Sequence, residues 1–288
     1  MEYKNLLKES AGASGNVVCM GLDPIAGALP IQRGEFFASA LESFTLLFNM
    51  MDRQGLIPAA FKPNLGYWHA IDRPFERERE GSDALLEVLD LVRSHFPTTP
   101  IILDSKRGDI ATSSHNYAVE AFEGWAADAV TVAPYMGSDS VQPFTDWDGK
   151  GVYVLNRTSN PGGKDLQNLI LADGRPLYME VARQIVAYNA KRGNVGAVVG
   201  ATNLQELKEI VTYYRDESVP LLIPGVGSQG GSASDVLAIL SEIGYPLELV
   251  RINSSSGLTH PWKKGPAPKD WLGICEANLT ALIEEASL

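Results

Sequence analysis

At 288 residues the chain is long enough for one large α/β barrel or two small domains, and 45% hydrophobic against 20% charged residues excludes a disordered chain. A net charge of −11 excludes a general affinity for nucleic acid, which needs a basic surface to displace counterions, so any phosphate must be met by a local site. Cys19 and Cys275 are too few for a disulfide framework or thiolate cluster, and neither a signal segment nor an apolar run of membrane-spanning length is present, so a soluble cytoplasmic protein without a membrane partner is expected.

Short apolar runs rich in Val, Ile and Leu recur eight times, at 17–22, 57–61, 100–103, 129–133, 151–155, 195–200, 220–223 and 247–252. They do not alternate apolar with polar, the pattern of strands covered on both faces. Between them, 36–51, 83–92, 114–126, 178–191, 204–214, 233–243 and 271–285 carry apolar residues at three- and four-residue spacings and are predicted helices, with a weaker one at 138–144. Eight strand and helix alternations predict a (β/α)8 TIM barrel in a single domain, 1–288, with a doubly wound open sheet as the competing arrangement. The segment 73–82 reads as a surface loop. The longer loop 156–176, rich in Gly, Asn and Pro, is a lid, a binding loop or a plain surface excursion.

In such a barrel the catalytic face lies at the carboxyl ends of the strands. Asp23 ends the first run, Lys62 the second, and Asp104 and Lys106 the third; Arg157 follows the fifth, and Arg251 lies at the end of the eighth. A single strand-terminal charge is more often a structural pair or cap. Several converging on one mouth are costly to bury unless they pair, a cost folds accept more readily at functional sites. Within Asp104-Ser105-Lys106-Arg107-Gly108-Asp109-Ile110, Asp104 and Lys106 are two apart and point the same way on an extended strand end, while Gly108 permits a turn that swings Asp109 elsewhere.

After the seventh run, Pro224-Gly225-Val226-Gly227-Ser228-Gln229-Gly230-Gly231 lets backbone approach a ligand closely, and the next helix begins nearby. With Arg251 as a bidentate partner, this is the expected phosphate site. Gly225, Gly227 and Gly230 also satisfy G-x-G-x-x-G, but a dinucleotide site would open a βαβ unit and place an acid where Arg251 stands. His69, His95, His115 and His260 show no paired ligand spacing and no nucleophile motif is present, so no metal, no cofactor and no covalent triad are expected.

These motifs together resemble the orotidine 5'-monophosphate decarboxylase family, in particular its longer bacterial type 2 branch. The match runs in order over nearly the whole chain through Gly21-Leu22-Asp23-Pro24, Phe61-Lys62-Pro63-Asn64, the Asp104 to Ile110 segment, Thr158-Ser159-Asn160-Pro161-Gly162, the Pro224 to Gly231 segment and Arg251. The resemblance implies a carboxy-lyase that makes UMP and carbon dioxide from orotidine 5'-monophosphate in pyrimidine biosynthesis. It implies a catalytic network of Lys62, Asp104, Lys106 and, from the second subunit of a homodimer, Asp109, with Lys106 as proton donor. It further implies Asp23 and Lys62 on the ribose, Ser159 on the pyrimidine, Ile110 near the base across the interface, and Pro224, Gly225, Gly227, Gln229, Gly230 and Arg251 around the phosphate. Where the family usually has Thr, four residues after the second Asp, this chain has Ser113 preceded by Thr112, and either hydroxyl serves as a ribose contact. A magnesium-dependent sugar-phosphate decarboxylase on the same barrel and a noncatalytic nucleotide-binding protein are the alternatives.

Overall fold

The computed structural model describes residues 2–227, 230–263 and 265–288. Eight parallel strands, β1 (Val18–Leu22), β2 (Ala60–Pro63), β3 (Ile102–Arg107), β4 (Ala129–Val132), β5 (Gly151–Arg157), β6 (Val195–Val199), β7 (Leu221–Ile223) and β8 (Val250–Ser254), run in the order β2-β1-β8-β7-β6-β5-β4-β3. Parallel bridges Phe61–Ile101 and Asn64–Asp104 bring β2 to β3 and join the ends of the sheet. The expected (β/α)8 barrel is therefore the fold, and every residue of β1, β2, β4, β6, β7 and β8 is buried, as the lack of alternation required.

Inside the ring, Cys19, Ala60, Ile102, Ala129, Tyr153, Val198 and Leu222 form one cluster, while the larger core lies between strands and helices. The helix Phe36–Gln54 shows how the outer layer positions the site. Its Phe44 and Phe48 pack against Trp68 and Phe61, and the Trp68 indole donates to Leu22 O at 2.9 Å. That bond ties the segment after β2 to the end of β1, beside Asp23. The weak helix expected after the fourth strand is a short 3-10 turn, Ser138–Ser140, followed by Gln142–Thr145.

Three features differ from the sequence expectation. β2 and β8 lie about three residues later than the apolar runs suggested, because 57–59 lead into β2 and Leu247–Leu249 form a 3-10 turn before β8. β3 continues through Asp104 to Arg107. An unforeseen helix, Tyr3–Ser14, presents Tyr3, Leu7, Ser10 and Ala11 to the amino-terminal end of the barrel, with Ser10 Oγ donating to Ala59 O at 2.7 Å. Among the described residues no helix is long and apolar enough to cross a membrane.

Candidate active site

The carboxyl ends of the strands open into a cavity of about 910 Å³ whose walls include Asp23, Lys62, Asp104, Lys106, Thr131, Ser159 and Pro224. Lys62 lies level with Gly21 of β1, and Asn64 with Asp104 of β3, so barrel register alone sets these charges side by side. Lys62 Nζ donates to Asp104 Oδ2 at 2.7 Å and Lys106 Nζ to Asp104 Oδ1 at 2.6 Å. Lys62 and Asp104 are buried, whereas 45% of the Lys106 side chain is exposed, leaving one ammonium of the network open to a ligand.

Lys106 does not reach this place by plain strand alternation. β3 carries a bulge, since Leu103 pairs with Val130 but Arg107 with Val132, and Lys106 sits in it at φ 50°. A left-handed conformation at a lysine is uncommon and costs roughly 1–3 kcal/mol; such strain gathers at functional sites. The bulge re-aims the side chain toward Asp104.

Burial alone would push the Asp104 carboxyl up, but Lys62 and Lys106 outweigh it and hold the group well below the ordinary carboxylate range. Burial would likewise lower the Lys62 ammonium, yet Asp104 and Asp23 hold it above its ordinary value. A depressed acid contributes stability that is present above its unfolded value near 3.9 and lost as pH falls through the folded one; a raised lysine contributes stability present below about 10.4 and lost as pH rises through its folded value. Denaturant midpoints between about pH 5 and 9 should therefore show no titration from this pair. Asp104→Asn should be less stable than wild type across that range, and the gap should narrow as pH falls below about 4, closing only as the folded Asp104 carboxyl itself protonates. A constant gap down to pH 2 would contradict the assignment.

Asp23, also buried, accepts from Asn64 N at 3.0 Å. Ser159 packs against Gly200, where a Cβ would meet Ser159 N at 2.7 Å, so glycine is required there for this loop to lie down. Behind the loop, Arg157 Nε stands 2.7 Å from Glu206 Oε2, and Arg157 Nη1 donates to Thr158 O and to Gln167 Oε1. Arg157 is thus a loop anchor.

A second cavity, about 200 Å³, shares Asp23, Tyr67, Pro224, Asn253 and Ser255 with the first and adds Gly225, Val226, Ser254, Ser256 and His260. Gly225, Gly227 and Gly230 have φ of 99°, 80° and 89°, which explains the glycines. Three N–H groups of this loop are engaged within it. The N–H groups of Gly227, Gly230 and Gly231 bond to Gly231 O, Gly227 O and Gly225 O within the turn. The helix Ala233–Glu242 is capped by Ser232 Oγ on Asp235 N and by Glu285 on Ser234 N. Gln229 and Ser228 lie outside the described residues.

Arg251 is the clear correction. It falls level with Val17, four residues before Gly21 on β1, and is fully buried at the opposite end of the barrel. Its guanidinium donates to Leu7 O at 2.7 Å, Ala59 O at 3.0 Å, Val250 O at 2.7 Å and Glu248 O at 3.2 Å. With its donors engaged there, Arg251 holds the amino-terminal helix and does not reach a phosphate.

Asp109, Ile110, Thr112 and Ser113 line neither cavity. The Asp109 carboxylate accepts from Ile110 N at 2.7 Å, and Ile110 is exposed. Sequence reasoning missed Thr131, Asn253 and Ser255. Asn253 is buried, its Oδ1 has no partner, and it lines both cavities.

The chain is thus a parallel (β/α)8 barrel whose strand ends hold a buried carboxylate between two lysines, one of them partly exposed at the large cavity. Residues 74–242 match the Orotidine 5'-phosphate decarboxylase / HUMPS family, and the chain belongs to that family. It is 40% identical over 232 residues to an orotidine 5'-phosphate decarboxylase of Bordetella avium (strain 197N), covering 80% of each chain. It resembles the structure of Leishmania donovani OMP decarboxylase at 32% identity, with a TM-score of 0.74 and 99% of both chains covered. Against Leishmania donovani UMP synthase the identity is 34% and the TM-score 0.76, over 98% of this chain and 56% of that one.

Proposed function

We propose that this chain, as one catalytic domain over 1–288, decarboxylates orotidine 5'-monophosphate to UMP in the cytoplasm, using its own side chains without metal or cofactor. The observation that carries the reading is the half-exposed Lys106 ammonium fixed on buried Asp104 in the large cavity. The pyrimidine lies by Ser159, the ribose hydroxyls by Asp23 and Lys62, and the phosphate toward the smaller cavity. None of the described residues lining that smaller cavity is Lys or Arg, so its donors are the Asn253 amide, the hydroxyls of Tyr67 and Ser254 to Ser256, and His260, whose imidazole burial holds below its ordinary value.

When the C6–carboxylate bond breaks, its electron pair stays on C6 in the ring plane and carbon dioxide leaves. That pair cannot enter the π system. The Lys106 ammonium faces it as a fixed positive charge and then transfers a proton to C6, to be reprotonated from solvent. Asp104 holds the lysine charged, and the substrate carboxylate beside it is relieved as carbon dioxide forms.

A magnesium-assisted reaction is less well supported by the donor set. Both oxygens of Asp104 are taken by ammonium groups, and among the described residues no three of His, Cys, Asp and Glu gather as metal ligands. Loss of orotidine 5'-monophosphate absorbance in the presence of EDTA tests this directly. Turnover that appears only with added magnesium would favour the sugar-phosphate relative.

The reading includes a homodimer in which Asp109, with Ile110 and Thr112 or Ser113, enters the partner's site. Asp109 makes no ion pair within the chain among the described residues, and exposed Ile110, Tyr135 and Met136 put apolar surface on neighbouring barrel loops. Lys106→Ala and Asp109→Ala proteins, each inactive, should recover about one quarter of wild-type activity when refolded together, because half of the dimers then carry one intact site. Mixtures that stay inactive would place Asp109 outside the shared site.

A further inference from the structure

Thr131 on β4 is buried, lines the large cavity, and is, among the described residues, the one hydroxyl hydrogen-bonded to both ends of the Asp104–Lys106 bulge. Its Oγ1 donates to Asp104 Oδ1 at 2.7 Å and accepts from Lys106 N at 3.0 Å. Chemistry fixes these directions: a carboxylate only accepts, an amide N–H only donates, and one hydroxyl does both. The main chain of β4 adds a third tie, Thr131 O accepting from Ser105 Oγ at 3.3 Å.

Each bond answers a local need. The bulge breaks regular pairing between Leu103 and Arg107, and Thr131 receives the Lys106 N–H there. Lys106 is left-handed at φ 50°, a conformation that persists only where its surroundings hold it. Asp104 Oδ1 takes the Lys106 ammonium from one side and the Thr131 hydroxyl from another, so the hydroxyl sets the rotation of the carboxylate that aims the lysine.

We propose that Thr131 is a positioning residue for the decarboxylation, locking the strained Lys106 backbone and the Asp104 carboxylate in one geometry through a single hydroxyl. The inference rests on Lys106 being the proton donor. Without the hydroxyl, the Lys106 ammonium still binds Asp104 but samples orientations away from C6. Such a defect lowers the rate of the chemical step and leaves affinity for the ligand largely intact.

The test compares Thr131→Val, close in shape but without the hydroxyl, with Thr131→Ser, which keeps it. Thr131→Val should lower kcat for orotidine 5'-monophosphate about 10- to 100-fold, the scale of a hydrogen bond to a charged group, with UMP affinity within about threefold. Thr131→Ser should recover most of the rate. If the valine protein does not fold, Thr131→Ala supplies the hydroxyl-free comparison. Hydrogen exchange at the Lys106 amide gives a readout independent of turnover: protection should fall in Thr131→Val and persist in Thr131→Ser. A kcat within twofold of wild type in Thr131→Val, an equal loss in the serine variant, or unchanged Lys106 protection would each overturn the proposal. A wild-type protein that does not consume orotidine 5'-monophosphate would instead overturn the decarboxylase reading, and amide exchange would still decide the role of Thr131.

Discussion

Replacing Lys106 by alanine is expected to lower kcat for orotidine 5'-monophosphate by at least about 10⁴-fold while leaving UMP affinity within about tenfold. Two contributions are lost together. A positioned general acid is worth about 10²–10⁴-fold, and a fixed charge aimed at developing charge about another 10²–10³-fold, although the two are not additive when one group supplies both. The Asp104 carboxylate would remain, paired on Oδ2 with Lys62 and on Oδ1 with Thr131. It would then face the substrate carboxylate with less neutralisation, so substrate should bind more weakly than UMP, which lacks that carboxylate. Lys106→Arg should not rescue the rate, because guanidinium keeps its proton and its planar fork does not fit an ammonium's place. Turnover of Lys106→Ala within tenfold of wild type would remove this lysine from the chemistry.

The charge network was legible because barrel geometry converts sequence position into place. A charged residue directly after an apolar run faces the mouth or is paired, and Lys62 and Asp104 are both, with Lys106 brought beside them by the bulge of β3. Thr131 was not legible, since threonine is an ordinary strand residue and its hydroxyl acquires meaning only when β3 bulges beside it. The amino-terminal helix repeats Tyr3, Leu7 and Ala11 every four residues, but the stripe is short and lies among polar residues, so it does not stand out in the sequence. In the loop after β7 the glycines mark a tight turn, and the N–H groups of Gly227 and Gly230 close that turn. Local pattern shows where backbone bends, while the destination of each donor is a tertiary property.

Arg251 shows how much a small register error matters, and it carries the other large expected effect. The apolar run at 247–252 puts Arg251 in the end of a strand, yet Leu247–Leu249 turn outside the sheet and β8 starts at Val250. Because position along a barrel strand separates the stability face from the catalytic face, a shift of three residues moved the side chain from one end of the molecule to the other. No carboxylate neutralises the buried guanidinium among the described residues; burial lowers its pKa, and the dipoles of four carbonyl groups receive its protons. Arg251→Ala would leave a void in the buried amino-terminal end of the barrel and release the carbonyls of Ala59 and of Leu7 of the amino-terminal helix. The expected cost is about 3–5 kcal/mol, or a fall in Tm of about 10 °C, with Arg251→Met losing roughly half as much because its stem still fills the space. In the protein that remains folded, KM for orotidine 5'-monophosphate should stay within about twofold, since none of the lost bonds lies near either cavity. A phosphate ligand would behave in the opposite way, with little change in melting and a KM raised by about 10²-fold, the loss of a charge-assisted bidentate contact. The pair of measurements therefore assigns Arg251 to one end of the barrel or the other, and a high KM with unchanged melting would place the phosphate where the guanidinium is.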